Sequence, residues 1–200
     1  SIAGWQGSLR AADTDVLVQN VRPRLSYIYL FDKTSSAFVF TFTHPALNAN
    51  LWDVDVLEGS DPTEVWFTEP GADRLGQLVY TSTTQNSDYQ SYAVPTGSDP
   101  LNLVLDGGYV WFTAPGRNAI GRLNPTTRAT DLFTVETSAS APADLDASGD
   151  GSIWFTEQDA DQLAHLVVTS TVDYRIDEYQ QSFMVGGQPY GIDVVGGGRK

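Results

Sequence analysis

The sequence predicts an all-β fold, a β-propeller of four-stranded antiparallel blades, and three observations carry the prediction. Val65-Trp66-Phe67-Thr68-Glu69-Pro70 returns as Val110-Trp111-Phe112-Thr113-Ala114-Pro115 and as Ile153-Trp154-Phe155-Thr156-Glu157-Gln158, with the tryptophans 45 and 43 residues apart. Each copy consists of strand formers whose two adjacent aromatics point to opposite faces, so each such strand is packed on both sides, as in a stack of sheets. A four-stranded unit recurring at that interval is the mark of propeller blades. No segment sustains a capped apolar stripe of helical period.

In chain order, residues 1–23 form an N-terminal extension with strand-like pieces, notably Asp15 to Val18, but no copy of the motif. The repeat domain, 24–200, opens with a hairpin: Leu25 to Phe31, a turn over Asp32 to Ser36, and the alternating strand Ala37 to Phe42. A similar outer hairpin follows each motif: Leu75 to Tyr80 with Tyr89 to Val94, Ile120 to Leu123 with Ala129 to Val135, and Leu163 to Val168 with Tyr174 to Phe183. An inner first strand precedes each motif, at Leu51 to Val56, Leu101 to Leu105 and Ala143 to Asp146, and a fourth, Tyr190 to Val195, meets no motif. Pro100, Pro142 and Pro189 introduce three of these, a place where a missing N–H falls outside the ladder.

The repeat units are therefore 24–46, 47–95, 96–137, 138–184 and 185–200, about four blades' worth, at the low end of what closes a propeller. Either the two ends combine into one shared closing blade, or the chain is an open arc. The bare sheet faces of an arc demand a partner or oligomer, and residues 1–23 are placed to cover one of them.

With 41% hydrophobic residues in a chain of 200, a sizeable core is affordable, and no apolar run approaches the length of a membrane helix. There is no cysteine, which excludes disulfides and thiolate chemistry. The net charge of −14, with only Lys33 and Lys200 as lysines and no basic patch, excludes nucleic acid as a partner. A start at Ser1 without Met fits either a trimmed chain or a mature one whose secretory signal has been removed, and export, extracellular or periplasmic, is the expectation.

The pattern Pro-x-x-Ile/Leu, Val/Ile-Trp-Phe-Thr-Glu and Asn/Asp-x-Ile/Leu-Gly-x-Leu, closest in Gly116 to Thr127, resembles the virginiamycin B lyase family, the streptogramin lyases, over about 45 to 195. That resemblance implies a seven-bladed propeller and a lyase that opens the ester bond of cyclic streptogramins by elimination. The family uses Mg²⁺ and inner-strand histidines, in part from Pro-His-Gly segments. Here the matching positions are Trp52, Leu101, Ala143 and Tyr190, and the only histidines, His44 and His165, lie elsewhere. A neutral-pH base is absent from every inner position in this chain, so catalysis is not expected of it unless further blades carry those histidines.

Other candidates come from the residues themselves. Trp52 and Tyr190, beside Asp53, Asn102 and Asp144, read as the mouth of a tunnel suited to a protein, small-molecule or glycan ligand, or as plugs of that tunnel. Glu69 and Glu157 end two motif strands at matched places and read as ligand-binding carboxylates or as acceptors of local hydrogen bonds. Asp144, Asp146, Ser148 and Asp150 alternate as in a weak Ca²⁺ loop with Gly149 at the sixth place. The twelfth place, Phe155, denies that loop its carboxylate, and Asp150-Gly151 also reads as a tight hairpin turn. Trp66, Trp111 and Trp154 are assigned to the core between blades.

Overall fold

A computed structural model describes residues 9–10, 14–21, 25–32, 36–46, 50–57, 62–180 and 186–195. They form four antiparallel sheets, each of four strands in chain order. The first holds β1 (Leu9–Arg10), β2 (Thr14–Val21), β3 (Leu25–Asp32) and β4 (Ala37–Thr43). The second holds β5 (Val54–Leu57), β6 (Thr63–Glu69), β7 (Arg74–Thr81) and β8 (Asn86–Ala93). The third holds β9 (Leu103–Asp106), β10 (Tyr109–Ala114), β11 (Ala119–Leu123) and β12 (Thr130–Thr134). The fourth holds β13 (Pro142–Ala147), β14 (Ile153–Glu157), β15 (Gln162–Val168) and β16 (Tyr174–Tyr179).

The meander is that of propeller blades, with the motif on the second strand of sheets two to four. β1 and β2, from the 1–23 stretch, belong to the first sheet: β2 pairs with β3 along its length, Val18 opposite Ile28. Part of the first hairpin turn and the Phe183 end of the last expected strand lie outside the described residues. Three departures concern the first strands, and in one of them β5 starts at Val54, three residues later than Leu51. β9 starts two residues later than Leu101, because the Thr113 hydroxyl takes the Asn102 N–H at 3.1 Å and interrupts the ladder. Tyr190 to Val195 forms no ladder among the described residues; side chains hold it instead, as described below.

Residues 1–93 and 94–200 form two compact units. In the first unit, Ile28 and Leu30 of β3 pack with Val54, Val56, Val65, Phe67 and Leu78 of the second sheet, flanked by Phe40 and Phe42. In the second unit, Val104, Trp111, Ile120 and Phe133 of the third sheet pack with Leu145, Ile153, Phe155, Ala164 and Leu166 of the fourth. The two aromatics of each motif do face opposite ways, and the phenylalanines Phe67, Phe112 and Phe155 are fully buried.

The Asn/Asp of the repeat has a backbone reason. Asp73, Asn118 and Asp161 each turn the chain into β7, β11 and β15 with φ of 50°, 50° and 53°, the left-handed region in which short polar side chains are favoured. Asp73 and Asn118 end the short 3₁₀ turns Pro70–Ala72 and Pro115–Arg117.

Candidate functional site

The polar residues of the inner first strands are the natural place to look for chemistry. In the first unit, Trp52 is half-buried and Asp53 is buried. The Asp53 N–H donates to Thr68 Oγ1 at 3.0 Å, while Thr68 N–H donates to Asp53 O at 3.1 Å. The motif threonine thus clasps the inner strand twice. The same clasp joins Asn102 to Thr113 and Asp144 to Thr156, at 3.1 and 3.0 Å to the hydroxyl oxygen.

In the second unit these threonines reach further. Thr113 Oγ1 donates to Ala143 O at 3.1 Å, and the Asn102 amide donates to that same carbonyl at 2.6 Å. Thr156 Oγ1 donates correspondingly to Tyr190 O at 3.0 Å. Asp144 and Asp146 complete the pattern: their Oδ2 atoms accept the N–H groups of Ile192 and Val194 at 3.0 and 2.8 Å. Their Oδ1 atoms accept the N–H of Leu145 and Ala147 at 3.0 and 2.9 Å. Residues 190–194 therefore run beside β13 as β13 runs beside the third sheet. Tyr190 itself is 45% exposed.

The two matched glutamates are buried. Glu69 Oε1 accepts the Tyr89 hydroxyl at 2.9 Å, and His44 Nε2 lies 2.9 Å from that hydroxyl and 3.4 Å from the carboxylate. Burial, with the Glu69 charge beside it, pushes the Tyr89 phenol up to about 12. Glu157 is fully buried, and its Oε2 accepts the Gln162 amide at 3.0 Å. Burial raises the Glu157 carboxyl, partly opposed by hydrogen bonds from Gln162 and Ser140, and the Glu178 charge adds to the rise. The same Gln162 donates to Thr137 Oγ1 at 3.2 Å, whose hydroxyl donates to Glu178 at 2.6 Å.

The Asp144 to Ser152 stretch separates into two structures. Asp144 and Asp146 face residues 191–194, whereas Asp150 closes the β13–β14 turn, accepting Ser152 N–H at 3.0 Å and the hydroxyls of Ser148 and Ser152. Those bonds, the Ser148 hydroxyl first, hold the Asp150 carboxyl below the usual carboxylate range. Gly149 and Gly151 take φ of 77° and 90°, as a tight turn requires. Among the described residues no three His, Asp or Glu side chains converge as a metal-binding set.

The sequence singled out Asp53, Asn102, Asp144, Glu69 and Glu157 one by one; the threonine clasp, the Asp146–Val194 bond and the His44–Tyr89–Glu69 cluster were not foreseen. Signals for two of them were present. The motif threonine is invariant across its three copies, and Asp-x-Asp recurs at Asp53/Asp55 and Asp144/Asp146 on first strands.

The model of the virginiamycin B lyase family matches residues 40–194. The chain belongs to the virginiamycin B lyase family. Among solved structures, it is similar to a catalytically inactive virginiamycin B lyase from Staphylococcus aureus solved with quinupristin, at 22% identity and a TM-score of 0.70. That alignment covers 90% of this chain and 57% of the lyase, so the chain spans somewhat over half the length of that relative. A streptogramin B lyase aligns at 21% identity and TM-score 0.55, over 88% of this chain and 68% of its own. The WD40 repeats of RRP9 align at 10% identity and TM-score 0.59, over 80% and 44%. These likenesses establish a propeller-type fold. No curated protein matches the chain.

For the Mg²⁺ that the family resemblance implies, the described residues offer no fit: no three His, Asp or Glu side chains converge, and Asp144 and Asp146 are committed to backbone N–H groups.

Proposed function

We propose that this chain is a binding or assembly module of an exported propeller and not a catalyst by itself. One observation carries the reading: the polar side chains of the second unit's inner strands join strand to strand. Asn102 and Thr113 bond the Ala143 carbonyl of β13, and Asp144, Asp146 and Thr156 bond backbone groups of residues 190–194. Both carboxylate oxygens of Asp144 and of Asp146 already accept backbone N–H groups, so these side chains serve the backbone. No imidazole stands at the inner positions to take their place.

Tyr190, with its exposed ring, and Trp52 are the residues this reading assigns to ligand contact, for a protein, small molecule or glycan. The purified chain is expected to leave a streptogramin B intact in the presence of Mg²⁺. A linearised product, followed by mass spectrometry and abolished by chelator, would overturn the reading. Export is tested by fractionating the native host: recovery in the cytosol alone would exclude it.

Family membership and the 57% coverage of the Staphylococcus aureus lyase favour a second reading, a Mg²⁺-dependent C–O lyase whose catalytic blades lie outside these residues. A coding sequence continuing past Lys200 with further Trp-Phe-Thr motifs and Pro-His dipeptides, and an active longer product, would establish it. Its absence would leave the module.

A further inference from the structure

We propose that His44, Tyr89 and Glu69, at the junction of the first and second sheets, are the ligands of a divalent transition-metal ion of the Zn²⁺ class. The inference goes beyond the reading above and does not depend on it. Three elements of the first unit bring the donors together: His44 follows β4, Glu69 ends β6 and Tyr89 lies on β8. His44 Nε2 is 2.9 Å from the Tyr89 hydroxyl and 3.4 Å from Glu69 Oε1, and that hydroxyl is 2.9 Å from the same carboxylate oxygen. Ligands about 2.1 Å from one ion stand about 3.0 Å apart at a right angle and about 3.4 Å apart at the tetrahedral angle. The three atoms therefore form one face of a coordination shell.

The charge on this face calls for a cation. Glu69 is 1% exposed and His44 3%, with the Phe42 and Phe67 rings 6.1 and 6.2 Å from the imidazole. Arg74, opposite Glu69 on β7, is exposed to solvent. The Ala46 N–H donates to His44 Nδ1 at 3.1 Å, so that nitrogen carries no proton and a neutral imidazole donates through Nε2 to the phenol. A buried carboxylate facing two neutral groups is short of a positive charge. Zn²⁺ supplies it: the carboxylate and a Tyr89 phenolate cancel the two charges of the ion.

Binding moves protons in a defined way. Nε2 gives up its proton and Nδ1 takes one, with Ala46 O at 3.4 Å as acceptor, the backbone bond that metal-bound histidines usually make. The phenol proton leaves to solvent, one for each ion bound. Burial pushes the free phenol up to about 12, and a coordinated ion reverses that preference because its charge lies against the oxygen.

The matching junction of the second unit shows that the fold does not need these donors. Leu78 and Leu166 stand opposite the first residue of their motifs, and their outer-strand partners are Tyr89 and Ile176. Ile28 and Ile120 face Phe42 and Phe133, and two residues further on come His44 and Val135. Only the glutamate is common, as Glu69 and Glu157. Imidazole and phenol thus enter together at the two places that face the carboxylate. They also set the ion class, since Mg²⁺ prefers carboxylate and water whereas imidazole suits Zn²⁺.

Calorimetric titration of Zn²⁺ into the tag-free 200-residue chain tests the proposal. The expected result is one ion per chain, a tyrosinate band in the ultraviolet difference spectrum and a higher melting temperature, none of which Mg²⁺ produces. His44→Gln and Glu69→Gln should each weaken binding at least ~tenfold, as loss of even a ligand's supporting partner does. Tyr89→Phe should abolish the tyrosinate band, and His165→Gln, at the chain's other histidine, should change nothing. Circular dichroism checks that each variant is folded; where one is not, the wild-type stoichiometry and tyrosinate band decide. Absence of binding overturns the proposal. So does binding that lacks the band, is matched by Mg²⁺, survives His44→Gln or Glu69→Gln, or falls with His165→Gln, each of which marks an adventitious ion only.

Discussion

The Phe112 ring lies directly over Gly121, its opposite residue on β11: a Cβ built on that glycine would stand 2.1 Å from Phe112 Cζ. Phe67 covers Gly76 in the same way, also at 2.1 Å. The third motif breaks the pairing, with Ala164 opposite Phe155. The glycine of the repeat is therefore a seat for the motif phenylalanine. Gly121→Ala should destabilise the chain by about 1–3 kcal/mol, the usual cost of overpacking a filled core. Urea unfolding measures it, and Ala164→Gly serves as the contrasting variant, with a smaller loss that reflects strand entropy and a lost methyl.

Asp146 holds the segment after β16 through Val194 and its own turn through Ala147. Asp146→Ala removes an acceptor of charge-assisted bonds worth about 1.5–3 kcal/mol each. The loss should appear locally. Amide exchange at Ile192 and Val194 should accelerate while the core amides of β14 and β15 keep their protection, read by peptide-resolved hydrogen exchange.

Glu157 offers a pH dependence with a definite sign. Its carboxyl is raised above the ordinary 4.5, so the folded state prefers the protonated form. The stability it contributes is complete below that ordinary value and is lost as pH rises through the raised one. Glu157→Gln keeps an acceptor for Gln162 and puts an uncharged amide in place of the buried carboxylate. The variant should gain stability over wild type near neutral pH and lose that advantage below pH of about 4.5. Thermal melts of both proteins across pH check it; a constant difference would contradict the expectation.

Tyr89→Phe removes the hydroxyl shared by Glu69 and His44. Leaving a buried carboxylate short of a donor should cost about 1–3 kcal/mol. The phenol's rise to about 12 adds a second check. A raised phenol contributes stability that is complete below its ordinary 10.0 and lost as pH climbs towards 12, so the alkaline fall of wild type over that window should be shallower in the variant.

Much of the fold was legible because burial on both faces of a strand leaves a mark in the residues themselves. Trp66-Phe67, Trp111-Phe112 and Trp154-Phe155 could only be neighbours in a stack of sheets, and the outer hairpins followed from alternation. The first sheet was half hidden because β2 carries Val16 to Val21 with no aromatic pair, so its kinship with the motif strands shows only in its pairing to β3. The candidate site was less legible, since an aspartate reads the same whether it awaits a ligand or already holds a backbone N–H. Asp144 looked like tunnel lining and calcium ligand alike; its Oδ2 accepts Ile192 N–H.

The sequence by itself determined the repeat and the family, because each is a matter of which residues recur at which interval. Only the tertiary structure decided where the polar groups point. Hydrogen bonds such as Asn102 to Ala143 and Asp146 to Val194 span about 40 to 50 residues of chain, and nothing local in either partner specifies the other. The same holds for exposure: Trp111 and Trp154 stand in near-identical motifs, and the face each meets, not its neighbours in sequence, sets how much of the ring remains open to solvent.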